Sequence, residues 1–194
     1  MFPRIVVVKG NLEVELWPMV TEDAPALLAF YQSLPAEDLL YLREEVTTPG
    51  AMNRWVEGIE SEQEWHLLAD YQGRIVADGE LDHPFYGWSR HVGEMRLVVA
   101  RAFRGSGLSM LIARELLAQA ADEGLHKVIV QMTVDQHSAI RLFQKLGFHQ
   151  EALLPEHVQD RYGRLRDLIV MAYFIRDLLP QNGAQQLADT HERR

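Results

Sequence analysis

There is no cysteine among the 194 residues. Disulfides, thiolate zinc sites and cysteine nucleophiles are therefore excluded, and with them any acyl relay through a thiol. Basic charge is scarce: 19 Lys and Arg stand against 28 Asp and Glu, a formal net charge of −9. A general nucleic-acid binder needs a basic face to displace counterions, so that class is excluded. A local basic pocket for a small phosphorylated ligand is not. Long apolar runs are missing. The opening Met1-Phe2-Pro3-Arg4-Ile5-Val6-Val7-Val8 carries a charge inside a very short apolar stretch, unlike a secretory signal, and no segment has the length to span a bilayer. The 8 histidines show neither H-x-H nor H-E-x-x-H spacing, so no metal site is expected. These absences describe a soluble cytoplasmic protein with no nucleic-acid or membrane partner.

What is present is enough apolar residue, 47%, to build a full core in one domain. That domain is expected over residues 1–180, with a polar tail over 181–194. Arg4–Val8 and Leu12–Met19 read as two strands around the turn Lys9-Gly10-Asn11. Thr21 supplies a hydroxyl N-cap for a helix carrying Ala26, Leu27, Phe30 and Tyr31 at helical spacing. Pro35 through Ile59 reads as further short helices punctuated by Pro35, Pro49 and Gly50. His66–Tyr71 and Arg74–Leu81 form a hairpin, followed by a turn-rich loop, Asp82 to Trp88. Then come a strand Glu94–Ala100, a helix from about Gly107 to Glu123, a strand Lys127–Val134, and a helix capped by Asp135 and closed by Gly147. Phe148–Val158 and Leu165–Phe174 are the last strands. Strands alternate with helices in the middle and pair antiparallel at both ends, which makes a mixed α/β sheet.

The chemistry lies in the stretch from Glu94 through Arg104-Gly105-Ser106-Gly107-Leu108-Ser109. It is strand, turn and helix start. Two glycines let the backbone bend and approach a ligand. The turn amides and the unpaired first amides of the helix converge on one spot, with the helix dipole behind them and Arg104 as a nearby cation. A pyrophosphate suits such a site better than a carboxylate. The dinucleotide fingerprint does not fit, because Met110 stands where its third glycine belongs, and no P-loop Gly-Lys-Ser/Thr exists. Taken alone, the turn is equally a βα connection whose glycines serve packing.

A second block follows: Asp135-Gln136-His137-Ser138-Ala139-Ile140-Arg141-Leu142-Phe143-Gln144-Lys145-Leu146-Gly147-Phe148. With it the chain resembles the GNAT family, the Gcn5-related N-acetyltransferases. That family carries Gln/Arg-x-x-Gly-x-Gly/Ala at its pyrophosphate turn and a later helix of the form Asn-x-x-Ala-x-x-Leu-Tyr-x-x-x-Gly-Phe. The resemblance covers residues 90–150 most closely and extends from Trp17 to about Phe174. It implies a mixed, mostly antiparallel sheet with a central splayed parallel pair and flanking helices. It also implies acetyl-CoA as cofactor and a primary amine, small molecule or protein lysine, as acceptor. By resemblance, Leu97, Val98 and Val99 lie where strand backbone meets the pantetheine amides. Arg104, Gly105, Ser106, Gly107, Leu108, Ser109 and Met110 wrap the pyrophosphate. Gln136 takes the place of the Asn on the pantetheine side, Phe143 lies beside the thiol arm, and Lys145 beside the adenosine phosphates.

The departures bear on mechanism. Phe143 replaces the Tyr that many members use to protonate the leaving thiolate, so another group or water supplies that proton, or none does. Gln131 stands where some members carry a Glu base. Other members carry the Glu earlier, in the strand before the turn, and Glu94 fits that placement; its other reading is an ion pair with Arg96 or Arg90. Glu80 on the preceding strand is a second candidate. Phe85, Tyr86 and Trp88 either line an acceptor pocket or anchor their loop. Apolar late strands make a homodimer reasonable. The expectation is direct transfer in a ternary complex. The rival readings are a CoA-binding module without catalysis, acting as an acyl-CoA sensor, and an interaction protein that keeps the fold alone.

Overall fold

The computed structural model describes residues 2–39, 42, 45–160 and 162–178; the expected tail over 181–194 lies outside them. Among the described residues eight strands form one sheet in the order β1-β2-β3-β4-β5-β6-β8-β7. They are β1 (Arg4–Val8), β2 (Leu12–Pro18), β3 (Glu64–Asp70), β4 (Ile75–Asp82), β5 (Val92–Val99), β6 (Lys127–Thr133), β7 (His149–Gln159) and β8 (Leu165–Phe174). The helices are α1 (Ala24–Ser33), the short α2 (Ala36–Leu39), α3 (Pro49–Glu60), α4 (Leu108–Asp122) and α5 (His137–Leu146). Every neighbouring pair is antiparallel except β5 with β6. The mixed sheet with a parallel pair at its centre is the expected architecture.

The two faces bury different helices. On one face Leu16, Leu67, Leu81, Met95, Val99 and Val130 pack against Leu108, Ile112, Leu116 and Ala120 of α4. The α4 positions recur at helical spacing, so one stripe of that helix is dry. On the other face Leu68 and the half-buried Val98 pack against Leu27, Phe30 and Tyr31 of α1 and Ala51 and Trp55 of α3. Tyr31 and Trp55 stack with centroids 5.5 Å apart.

Several local expectations change in detail. Thr21–Asp23 is a 3-10 turn and α1 starts at Ala24, so Thr21 is not its cap. Asp23 does the tying instead, accepting from Val20 N–H at 3.0 Å and from Trp17 Nε1 at 2.9 Å. Pro49 and Gly50 do not interrupt a helix; they open α3, with Pro at the first helical position where its missing N–H costs nothing. Asp135 is not the cap of α5 but pairs with Arg166 at 3.2 Å, and Gln136 holds the cap position.

What positions the site is the divergence of β5 and β6. They pair only at Val92↔Lys127, Gly93↔Val128 and Glu94↔Ile129. Both strands continue, β5 to Val99 on β4 and β6 to Thr133 on β8, but no longer on each other. A wedge therefore opens past Glu94, and its wide end lies beside the turn that leads into α4.

Candidate active site

The turn closes the wide end of the wedge. Gly105 and Gly107 have φ of 76° and 93°, a region that L side chains rarely enter, and a Cβ built on either meets no atom within 4 Å. The space above them is open, so their conformation and not crowding demands glycine. The first hydrogen bond of α4 runs from Leu111 N–H to Gly107 C=O at 3.1 Å. Among the described residues the amides of Gly105, Gly107, Ser109 and Met110 have no partner, whereas Leu108 N–H donates to Ser106 Oγ at 3.3 Å. The Ser106 hydroxyl in turn donates to Phe103 C=O at 2.7 Å, which pins the bend. The cradle faces a single region with unpaired N–H groups and a helix dipole, the physical requirement for an anion site.

Two further residues shape this end. Lys9, in the β1–β2 turn, donates its backbone N–H to Ser106 C=O at 3.0 Å. Arg104 donates Nε to Val99 C=O at 3.2 Å and pairs with Asp38 of α2 at 2.9 Å. Asp38 also pairs with Arg101 at 3.0 Å. Burial works against the Asp38 charge, yet the two guanidiniums hold its carboxyl below the usual range. Arg104 is thus a tethered cation.

The wedge has an unpaired backbone edge. Ala100 N–H donates to Val76 C=O in β4, and the register of β4 on β5 continues from there. Alternation then points the backbone groups of Val98 at β4 and those of Leu97 and Val99 into the wedge. Of the strand residues singled out in the sequence, Leu97 offers its backbone to a ligand there and Val99 its N–H, the Val99 carbonyl being held by Arg104 Nε. Val98 turns its side chain to the α1/α3 face.

That same face carries a polar lattice. The register lines up Glu64↔Asp82↔Glu94, then His66↔Glu80↔Arg96, with Asp78 opposite Leu68 and Val98. Glu80 is 8% exposed, and Arg96 donates to it. Burial pushes the Glu80 carboxyl up to about 7, against the pull of His66 and Arg96. Burial likewise raises Asp82, with Glu64 and Glu94 adding to it and Arg96 opposing. Glu94 accepts from Gln131 Nε2 across the wedge at 3.4 Å and lies 3.8 Å from Arg96 Nε. Both candidate carboxylates therefore meet at one guanidinium, at the narrow end of the wedge. His66 holds Asp78 through Nδ1 at 3.0 Å, and Tyr31 OH donates to Asp78 at 2.8 Å. Burial alone would lower the His66 proton affinity, but Asp78, Glu64 and Glu80 hold it well above the ordinary value. Glu64, His66 and Glu80 bring ligand-type atoms within 4.8 Å of one another. Arg96 and the imidazolium already supply the positive charge there, which makes this an ion-pair lattice and not a metal cage. Sequence reading passed over Glu64, His66, Asp78 and Asp82. The signal was available: E-x-H, D-x-E-x-D and E-x-R alternate along three strands whose other positions, Asp70 apart, are apolar.

The second block is placed as follows. Gln136 turns its side-chain carbonyl back to Thr133 N–H at 2.9 Å, at the end of β6 that borders the wedge. Phe143 is buried, its ring edge-on to Phe148 at 5.1 Å within the core. Lys145 is exposed in the last turn of α5.

A cleft of about 910 Å³ opens at the other end of the sheet, lined by Glu64, His66, Trp65, His83, Phe85 and Trp88 among others. Trp88 is 95% exposed, so it does not anchor its loop.

Comparison with known proteins agrees with this geometry. The model of the acetyltransferase (GNAT) family matches residues 23–148. The Bacillus subtilis (strain 168) protein YwnH, provisionally assigned as a phosphinothricin acetyltransferase, is 24% identical over 151 residues, 77% of this chain and 91% of that one. The crystal structure of a ribosomal-protein-alanine N-acetyltransferase from Brucella melitensis is 25% identical with a TM-score of 0.71, over 82% of this chain and 98% of its own. A Salmonella typhimurium protein, yncA, solved with acetyl-CoA, shares the fold at 21% identity and a TM-score of 0.72, over 84% of this chain and 94% of its own. The wedge, the glycine turn and a family match across both are one statement made three ways: the chain belongs to the GNAT family of acetyltransferases.

Proposed function

We propose that this acetyltransferase moves an acetyl group from acetyl-CoA to a primary amine by direct attack in a ternary complex. The observation that carries the reading is the wedge between β5 and β6, open at the unpaired amides of Gly105, Gly107, Ser109 and Met110 and narrow at Glu94. The diphosphate would lie on those amides with Arg104 beside it, and the pantetheine would pair with Leu97 and Val99 backbone. Gln136 borders the same space, Ser106 shapes it, and the buried Leu108 fixes the start of α4 in the core. The thioester carbonyl then lies past Val99 toward Glu94, where the wedge-facing Leu97 N–H is a preorganised donor for the developing oxyanion. An acceptor ammonium gives a proton to Glu94, the freed amine attacks the carbonyl, the C–S bond breaks and the thiolate departs. The Phe143 ring carries no proton to give it. Positioning supplies most of the rate.

A second assignment of the base has its own support. Glu80 sits on the same guanidinium with its carboxyl near 7, where a general base works best. A buried, acid-rich lattice beside the wedge also favours a cationic acceptor. YwnH and the ribosomal-protein enzyme are named for a small amino acid and for a protein amine, so both belong in the assay. The test is free-thiol release from acetyl-CoA over a panel of phosphinothricin, free amino acids, diamines and lysine- or alanine-ended peptides, with Glu94→Gln and Glu80→Gln. Glu94→Gln is expected to lower kcat about 100-fold or more with unchanged acetyl-CoA affinity. A full rate in Glu94→Gln with collapse in Glu80→Gln transfers the role to Glu80. Tight acetyl-CoA binding without thiol release on any amine returns the protein to the sensor reading.

A further inference from the structure

Acetylation of an ammonium releases one proton per turnover: one N–H proton leaves to the base, the N–C bond replaces the C–S bond, and the second N–H proton goes to the thiolate. The base must shed its proton before the next cycle. Glu80, on the face that α1 covers, is only 8% exposed, and the adjacent Arg96 cannot accept a proton. We propose that His66 is the proton exit of this site: a proton that reaches Glu80 passes by way of the imidazole Nε2 to Glu64 and leaves through the cleft beyond. The proposal rests on the amine-acetylation reading above.

The geometry has three parts. The imidazole is fixed, since Nδ1 is held by Asp78 at 3.0 Å and Asp78 is held by Tyr31 OH at 2.8 Å. That leaves Nε2 turned toward Glu64, 3.5 Å from its Oε2, and both atoms are buried without a hydrogen-bond partner. A Glu80 carboxylate oxygen, an imidazole nitrogen of His66 and a Glu64 oxygen lie within 4.8 Å of one another, a span that one bridging water covers. Finally, the His66 side chain is 0% exposed while that of Glu64 is 24% exposed, and both line the cleft at the end of the sheet. A chain of groups thus runs from the wedge to solvent, and His66 is its buried middle.

The neighbours support the role. The ionisable groups facing His66 are Glu64 on its own strand, Asp78 and Glu80 on β4, Tyr31 beyond Asp78 on α1, and Arg96 beyond Glu80 on β5. α3 contributes Gly58, whose missing side chain is required: a Cβ there would stand 2.4 Å from Glu64 Cδ. The bare helix surface lets Glu64 lie against His66. With carboxylates around it the imidazole holds its proton more tightly than an ordinary histidine does. It can release its Nε2 proton to Glu64 as the next arrives from Glu80.

The test uses the full chain, acetyl-CoA and the fastest amine of the panel. His66→Gln is expected to lower kcat about tenfold or more while KM and Kd for acetyl-CoA stay within about twofold. Its solvent deuterium isotope effect on kcat should rise, and added imidazole should restore part of the rate. Glu64→Gln, at the cleft mouth, should show the same rise in isotope effect with a smaller loss. Wild-type turnover in His66→Gln across the pH range overturns the proposal. So does a loss of rate with an unchanged isotope effect and no imidazole rescue, the pattern of a merely structural residue. Should His66→Gln fail to fold, an unchanged kcat and isotope effect in Glu64→Gln overturns it alone. Transfer by the wild type with a silent His66 removes only the exit; no transfer to any amine removes the exit and the reading beneath it.

Discussion

Replacing Glu80 by Gln gives the most quantitative test of the polar lattice. The carboxyl is raised from its ordinary value of 4.5 to about 7 by burial, against the pull of His66 and Arg96. Between those values the folded protein holds a proton that the unfolded chain has released. The folded state therefore binds more protons, and stability falls as pH rises through the window. A difference of about 2.5 in pKa corresponds to about 3 kcal/mol. Gln cannot titrate, so in Glu80→Gln this loss is absent. Urea melts of both proteins at intervals from pH 4.5 to 7 should show the wild type losing about 3 kcal/mol relative to the variant, with groups that do not interact with Glu80 cancelling in the difference. His66 adds a change of the same sign at higher pH: its raised proton affinity stabilises the fold below 6.5 and is lost as pH climbs through its folded value. The comparison is therefore read below pH 7. A difference that stays flat across the window refutes the electrostatic reading of the lattice.

Other perturbations address the rest of the molecule. Gly107→Val places a β-branched side chain at φ 93° and in the open space above the turn, and calorimetry should show acetyl-CoA affinity reduced at least 100-fold with the far-UV spectrum retained. Asp38→Asn removes the carboxylate that competes for Arg104, and because such exposed pairs are worth up to about 1 kcal/mol, calorimetry should show acetyl-CoA binding up to about fivefold tighter at low salt. Leu116→Ala, fully buried between α4 and the sheet, should cost about 2–5 kcal/mol in urea melts and leave the acetyl-CoA KM within about twofold.

The parts of the site that were legible in the sequence are those written in contiguous residues. Arg104-Gly105-Ser106-Gly107 announces its own bend, because positive φ is a property of the residue that adopts it. The change of period from strand to helix at Gly107 announces the anion-binding helix end. The strand pair on either side of α4 follows from the connection, since a strand–helix–strand unit of this length returns parallel. What was not legible depends on register. Glu64, His66, Asp78 and Tyr31 join the lattice only because β3, β4 and α1 align at particular positions, and no local spacing states that alignment. Asp38 and Arg104 likewise meet through the fold. Local competition accounts for the misplaced caps: Asp23 and Thr21 both suit a helix start, and the indole of Trp17 favours Asp23.

The most direct measurement of the central claim is a crystal structure of the protein with acetyl-CoA. The account predicts diphosphate oxygens within hydrogen-bond distance of the amides of Gly105, Gly107, Ser109 and Met110, with the thioester between β5 and β6 facing Glu94. Acetyl-CoA bound elsewhere, with the wedge closed or filled by side chains, would contradict it.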